Sequence, residues 1–487
     1  MSNFKSIITA AFKNKVMLFV FSRYSTYLIH FINSLFIAVY LGPYYLGIWG
    51  FITLIIQYMN QLNFGITHSV TTIISIHKSK EFYVQKIIGS SLIMLVGLSL
   101  IFVLLFITNE LMNLNLGSKY NFSTYAPIVL LIGVLGCFND LFSSISRVYG
   151  RLFEIAFLQT ALPVFMSLAI FFFKNDELLW ALVGANFLAF LISLILFAVK
   201  SPIKIKPIFS FRLVKIIQIK GWHLFVFNTS FFFIVISTRS LVSGFYSVEE
   251  FGYFTFAFSL ANVINLLFQS FSYLIQPKIL NRFANASNEK NIEILDKLRD
   301  AYITTSHLLI HIAILFFPLF LTFFPKYDIA SDAFKLISLT ILSYTSSFGY
   351  SGLIVAKGFE KKLGYFSFFA LILNIILAFI LIKVFHVSFT YVIVATMLTY
   401  LIYVYMLGKM GRKMLNLDVS VLAIINDLYP MRLLAPYLLS LGLILSSAPD
   451  VYFSISLLLF LSINYKILLK LKNTLKSVIL NPNFINI

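Results

Sequence analysis

Long apolar stretches separated by short polar or basic segments dominate this sequence. A membrane-spanning helix needs about 20 predominantly apolar residues, and on that rule fourteen stretches qualify, with edges placed to within a few residues. They run over 18–41, 46–65, 87–107, 125–146, 157–173, 178–199, 222–246, 251–273, 302–324, 334–355, 364–382, 389–407, 433–445 and 451–469. The thirteenth is the shortest. The pattern predicts an all-α membrane protein of about 14 transmembrane helices.

Composition sharpens this picture. The 487 residues are 60% hydrophobic and 11% charged, whereas about a quarter of an average soluble domain is charged. A soluble enzyme, a disordered regulator and a secreted disulfide scaffold are thereby excluded, and the single cysteine, Cys137, lies in an apolar run. The net charge of +19 would suggest nucleic acid in a soluble protein. Here its distribution matters more. With the N-terminus placed in the cytoplasm, thirty Lys and Arg residues fall on the cytoplasmic side and five outside, and Arg23 and Arg239 lie inside spans. Both termini are therefore expected in the cytoplasm, no nucleic-acid partner is expected, and the apolar run after the basic segment 1–15 is long enough to stay in the membrane.

The chain also repeats itself. Tyr45-Leu46-Gly47-Ile48-Trp49 at the start of the second stretch matches Glu250-Phe251-Gly252-Tyr253-Phe254 at the start of the eighth, an offset of 205 from 45 to 250. At that offset Gln57 falls on Asn262, Asn60 on Asn265 and Thr67 on Ser272. Tyr149-Gly150-Arg151 corresponds to Lys357-Gly358-Phe359 at an offset of 208. The predicted organisation is a six-helix lobe over 1–199, a basic cytoplasmic linker over 200–220, a second six-helix lobe over 221–408, and two further helices with a tail over 409–487. Parallel repeats of this kind suit alternating access, although a duplication retained for packing alone would leave the same trace.

Polar side chains inside a bilayer face the bundle interior or a wet cavity. Arg23, Tyr27, His30 and Ser34 share one face of the first stretch; Gln57, Asn60 and Gln61 lead towards His68 on the second. Asn228, Arg239 and Ser243 align on the seventh, and Asn262, Asn265, Gln269, Tyr273 and Gln276 on the eighth. These are the first two helices of each half, and the simplest assembly faces their stripes across a central hydrated cleft. Any one Asn or Gln also serves as helix-to-helix glue, worth about 1 kcal/mol or less. Arg239 is deeper than Arg23 and has no acid at helical spacing, so it reads as an anion site, guanidinium being matched to phosphate. Arg23 lies within snorkelling reach of the cytoplasmic end, where structure and function weigh evenly. Asp140 is either a proton-coupling site or a structural partner for Arg147 or another arginine, and His30 is a second titratable candidate. His307 and His311, four apart with no carboxylate nearby, read as packing or a proton relay rather than a metal site. There is no ATP-binding motif, no long external loop and no cytoplasmic segment large enough for a catalytic domain. No enzyme activity, metal or cofactor is expected.

These features together resemble the polysaccharide transporter branch of the multidrug/oligosaccharidyl-lipid/polysaccharide exporter superfamily, the O-antigen or Wzx-type flippases. The resemblance rests on the helix layout, on Leu41-Gly42-Pro43-Tyr44-Tyr45-Leu46-Gly47, on Thr238-Arg239-Ser240-Leu241-Val242-Ser243 followed by Ser247-Val248-Glu249-Glu250-Phe251-Gly252-Tyr253, and on Ala356-Lys357-Gly358. Family members often carry an acid just before the arginine matched by Arg239, where this chain has Thr238. The resemblance implies a monomeric flippase of the bacterial inner membrane. It would carry undecaprenyl-pyrophosphate-linked sugar repeat units outward for O-antigen, capsule or exopolysaccharide synthesis, beside a polysaccharide polymerase and a chain-length regulator. On that reading Arg23 and Arg239 hold pyrophosphate, Tyr27, Ser34, Gln57, Asn60, Asn228, Asn262, Asn265 and Gln269 line the sugar path, and Asp140 and His30 couple the cycle. A cation-coupled drug exporter of the same superfamily and a non-transporting scaffold of a cell-wall synthesis complex are the alternatives.

Overall fold

The computed structural model describes residues 15–112, 117–203 and 208–480, and the side chains of all of these but 15–23, 220, 267–278, 281 and 472–480. The described residues hold helices and no strand. They begin with α1 (Lys15–Gln61), α2 (Ile66–His77), α3 (Glu81–Leu111), α4 (Phe122–Val148), α5 (Leu152–Phe172) and α6 (Asn175–Val199). Next come α7 (Phe211–Phe245), α8 (Val248–Asn285), α9 (Asn288–Leu321), α10 (Ser331–Thr345) and α11 (Tyr350–Ala356). The last are α12 (Glu360–Lys383), α13 (Ile393–Met414), α14 (Val421–Leu428), α15 (Met431–Leu445) and α16 (Phe453–Leu480).

Among the described residues, ten helices are long and apolar enough to cross a membrane, or eleven if the bent pair α14 and α15 counts as one span. This falls short of the fourteen expected. Four of the fourteen stretches account for the difference. At about 1.5 Å per residue, the 47-residue α1 would reach some 70 Å, over twice the hydrocarbon thickness. It is broken at Gly42, whose φ of 67° and ψ of 175° are not helical, just before Pro43. The kink thus falls between the first two expected stretches, which count together as one of the ten. The tenth stretch is split into α10 and α11 at Gly349, which takes a φ of 89°. The 15-residue α15 is short, and the 38-residue α8 contains residues 267–278, whose side chains lie outside the described residues.

By contact density the chain forms two compact units, 1–259 and 260–487. The lobes read from the repeat describe a duplication, which contact density does not measure. In the first unit, α3 turns Leu100, Leu104 and Leu105 outward, as a lipid-facing helix does, while α4 buries Asn139, Ser143, Ser144 and Ser146. The apolar core of this unit joins Met59, Val70, Ile73, Ile87, Leu95, Cys137 and Leu141. Pro127, Pro163, Pro318 and Pro436 all sit inside helices, where each removes a backbone hydrogen bond.

One crossing within the first unit repays attention because it is self-complementary. A Cβ on Gly47 would lie 2.0 Å from the Val248 carbonyl oxygen, and one on Gly252 would lie 1.9 Å from that of Pro43. Val248 is 205 positions after Pro43, and Gly252 is 205 after Gly47, the offset of the repeat. Gly50 in turn packs on Thr255, its own counterpart at that offset. Repeat-equivalent residues therefore meet reciprocally, as across a two-fold axis passing near Gly50 and Thr255. Only a missing side chain lets the backbones approach so closely.

In the second unit, ion pairs fasten the last helices to the bundle. Arg432 at the start of α15 pairs with Asp300 and donates to Thr304 Oγ1 (3.1 Å) and Asn464 Oδ1 (2.8 Å). Buried Lys335 on α10 binds Asp332 (3.2 Å) and Asp450 (2.6 Å).

Candidate functional site

Arg239 sits on α7, 3% exposed. One of its terminal nitrogens donates to Gln57 Oε1 at 3.1 Å, and its guanidinium carbon lies over the rings of Phe258 (4.7 Å) and Phe251 (6.0 Å). Its Nε is buried with no hydrogen-bond partner, and among the described residues no carboxylate comes within ion-pair distance. A guanidinium in this setting keeps its charge and lacks a counterion, an arrangement that favours an anion if one can reach it. One residue along, Ser240 exchanges a hydrogen bond with the Tyr58 hydroxyl at 2.7 Å, so the second part of α1 is tied to α7 at adjacent positions. The repeat-related glycine crossing lies near the start of the second part of α1. Near the other end Gly65 meets Gly221, where a Cβ on either would fall within 2.7 Å of the opposite carbonyl oxygen.

The other expected site residues divide into groups. Asn60 packs on Gly136 of α4, and its Oδ1 is buried without a partner. Asn228 Nδ2 lies 3.3 Å from His68 Nε2. Gln57, Asn60, Asn228 and Arg239 thus all belong to the region where the second part of α1, α2, α4 and α7 meet. On the first part of α1, Tyr27, His30 and Ser34 are half-buried, and Ser34 Oγ donates to the Phe31 carbonyl of its own helix. The side chains of Arg23 and Gln269 lie outside the described residues. In the second unit, Asn265 Nδ2 donates to Asn262 Oδ1 at 3.2 Å, and Asn265 Oδ1 accepts from the Tyr344 hydroxyl.

Asp140 is exposed on α4, with Arg147 two turns along the same helix. His307 and His311 are buried on α9 beside Phe460, with His311 Nδ1 3.3 Å from Ser440 Oγ. No group of three metal-ligating side chains occurs among the described residues.

Three features escaped the sequence. Asn33 on α1 donates to the Pro163 carbonyl (2.7 Å) and accepts from Ser167 (2.9 Å), fixing α1 on α5. Lys119 donates to the carbonyls of Ser243 (3.0 Å) and Tyr246, at the end of the helix bearing Arg239, and Tyr120 joins it on Ser243 (2.7 Å). Burial holds the Lys119 ammonium below its usual range, opposed by Glu250. The third is an ionic knot around Asp427, which takes Arg299 at 3.1 Å, Arg412 at 3.3 Å and the Tyr350 hydroxyl. Arg299 also donates to the Ser346 carbonyl (3.1 Å), where the chain breaks between α10 and α11. Arg299 and Arg412 read as ordinary basic-side cations in the sequence, because their partner is over a hundred positions from one of them and carries no local signal.

The family model described as "Polysaccharide biosynthesis protein" matches residues 12–279, more than half of the chain. The chain belongs to this family. No curated protein matches it. Among solved structures it is similar to the lipid II flippase MurJ in an inward closed conformation, at 16% identity and a TM-score of 0.66, over 96% of this chain and 100% of that one. It is also similar to a multidrug resistance MATE family transporter of the MOP superfamily in an inward-facing conformation. That match has 15% identity and a TM-score of 0.66, over 82% of this chain and 98% of that one. At such identities the likeness shows the fold. This polysaccharide biosynthesis family member is a multi-pass membrane protein with the transporter architecture shared by MurJ and MATE proteins.

Proposed function

We propose that the chain is a flippase carrying undecaprenyl-pyrophosphate-linked oligosaccharide repeat units from the cytoplasmic to the outer leaflet of a bacterial inner membrane, without enzymatic chemistry of its own. The observation that carries this reading is the buried guanidinium of Arg239, with no carboxylate at ion-pair distance among the described residues, beside Gln57 and aromatic rings in a polysaccharide biosynthesis family member. Pyrophosphate supplies the anion this group lacks. It reaches Arg239 when the glycine crossings part, and Arg23 is its second expected cation. Asn60, Asn228, Gln57, Tyr27 and Ser34 offer hydrogen bonds to sugar hydroxyls in the first unit, Asn262, Asn265 and Gln269 in the second. Outward movement of negative charge is driven by an interior-negative potential, by about 2.3 kcal/mol per charge per 100 mV. Release from a cation needs a second event, for which Asp140, open on α4, and His30 are the proton-accepting candidates.

Asp140 also favours one rival, a cation-coupled drug exporter, since an exposed acid on a span suits a cationic cargo. Arg239→Ala separates the readings in cells. Loss of surface polysaccharide at normal protein level is the expected outcome, with Arg239→Lys restoring part of it, because ammonium keeps the charge and loses the bidentate geometry. Intact polysaccharide with altered drug tolerance supports the exporter, and no change in either supports a scaffold.

A further inference from the structure

The segment between α13 and α15 is built unlike the spans around it. Its helix α14 has eight residues, begins at Ser420, whose side chain accepts from the Ala423 N–H, and lies at 76° to α15. The Ser420 N–H and hydroxyl both bind the Asp418 carboxylate and hold it below the usual carboxylate range, which fixes the start of the helix. One face is docked: Ile424 and Leu428 are buried, Leu428 packs against Gly408, and Asp427 enters the ionic knot with Arg299 and Arg412. The side chains left open on α14 are Val421 (59% exposed), Leu422 (73%), Ile425 and Asn426, with Leu422 and Asn426 opposite the docked pair, and Val419 and Met431 (67%) are exposed just before and just after the helix. A helix crossing the end of a span at a steep angle, with leucine-sized side chains on its outer face, has the form of a helix lying in the membrane interface. Lys409 and Lys413, one turn apart and both exposed, stand at the adjoining end of α13.

We infer that 418–431 is an interfacial anchor that lies in the leaflet on the basic side of the protein and recognises anionic phospholipid. Val421, Leu422, Ile425 and Met431 enter the acyl boundary, and Lys409 and Lys413 bind the headgroups. The occupant is lipid rather than protein because the apolar side chains and the two cations occur together at the end of membrane-spanning helices. Attraction of this kind is worth about 1 kcal/mol per basic residue near an anionic surface. Because Asp427 ties the anchor to Arg299, and Arg299 to the break between α10 and α11, lipid engagement and the position of that break share one guanidinium.

The test uses the full chain carrying Leu422→Cys in a Cys137→Ala background, spin-labelled and reconstituted into phosphatidylcholine vesicles with and without phosphatidylglycerol. Dissolved oxygen, which concentrates in lipid, should quench the label more than a water-soluble nickel chelate, and phosphatidylglycerol should deepen it. Spin-labelled phosphatidylglycerol should associate with the protein in preference to phosphatidylcholine, and Lys409→Gln with Lys413→Gln should lower that preference by roughly fivefold per charge. A label exposed to nickel in both vesicles overturns the anchor. A buried label with no lipid preference, or a preference untouched by the two substitutions, overturns the recognition of anionic lipid. None of these readouts involves cargo, so they stand apart from the flippase assignment.

Discussion

At the scale of single residues, charge pairing separates Arg239 from Asp427. Arg239 has hydrogen-bonding and aromatic neighbours and, among the described residues, no counterion; Asp427 has two arginines and a tyrosine. Gln57→Leu removes the acceptor facing Arg239 and leaves a second buried donor unsatisfied, costing about 1–3 kcal/mol of stability. A thermal midpoint in detergent below that of the parent is expected; an unchanged midpoint contradicts the contact. Asp427→Ala strands Arg299, whose side chain is 5% exposed, and is expected to cost about 3 kcal/mol. The same melt measures it, and a loss confined to a few tenths of a kcal/mol would make the knot a surface pair. Arg239 was legible in the sequence as a deep cation without an acid at helical spacing. The knot was not, because Arg299 and Asp427 are joined only by folding.

At the scale of elements, the helices follow from apolar length, and their breaks follow from backbone chemistry. Gly42-Pro43 marks the point where α1 must stop being one helix, and Gly349 breaks the tenth stretch. The sequence showed the first break as the gap between two apolar runs and missed the second, which falls within a run. Gly47 and Gly252 appeared there as a repeated motif; the structure adds that each is the contact surface for the other's repeat. Gly252→Ala places a methyl carbon 1.9 Å from the Pro43 carbonyl and forces α1 and α8 apart. With cysteine at Gln57 in a Cys137→Ala background, Gly252→Ala should increase labelling by a membrane-impermeant thiol reagent. Equal labelling would show that the crossing does not cover the Arg239 region.

At the scale of the whole molecule, composition and charge asymmetry specified a multi-pass protein, and family membership with a MurJ- and MATE-like fold agrees. The helix count was less legible, since a length rule cannot see a break that falls within an apolar run, as at Gly349. Cargo is a property of the site and not of the fold, so it must be tested on the site. The most direct measurement is translocation of a fluorescent undecaprenyl-pyrophosphate-linked oligosaccharide in proteoliposomes holding equal amounts of folded wild-type or Arg239→Ala protein. The account predicts transbilayer movement with the wild type and a reduction of roughly tenfold to hundredfold with the variant, as expected for losing a charged hydrogen-bonding group. Equal movement with both proteins, or none with the wild type, would contradict it.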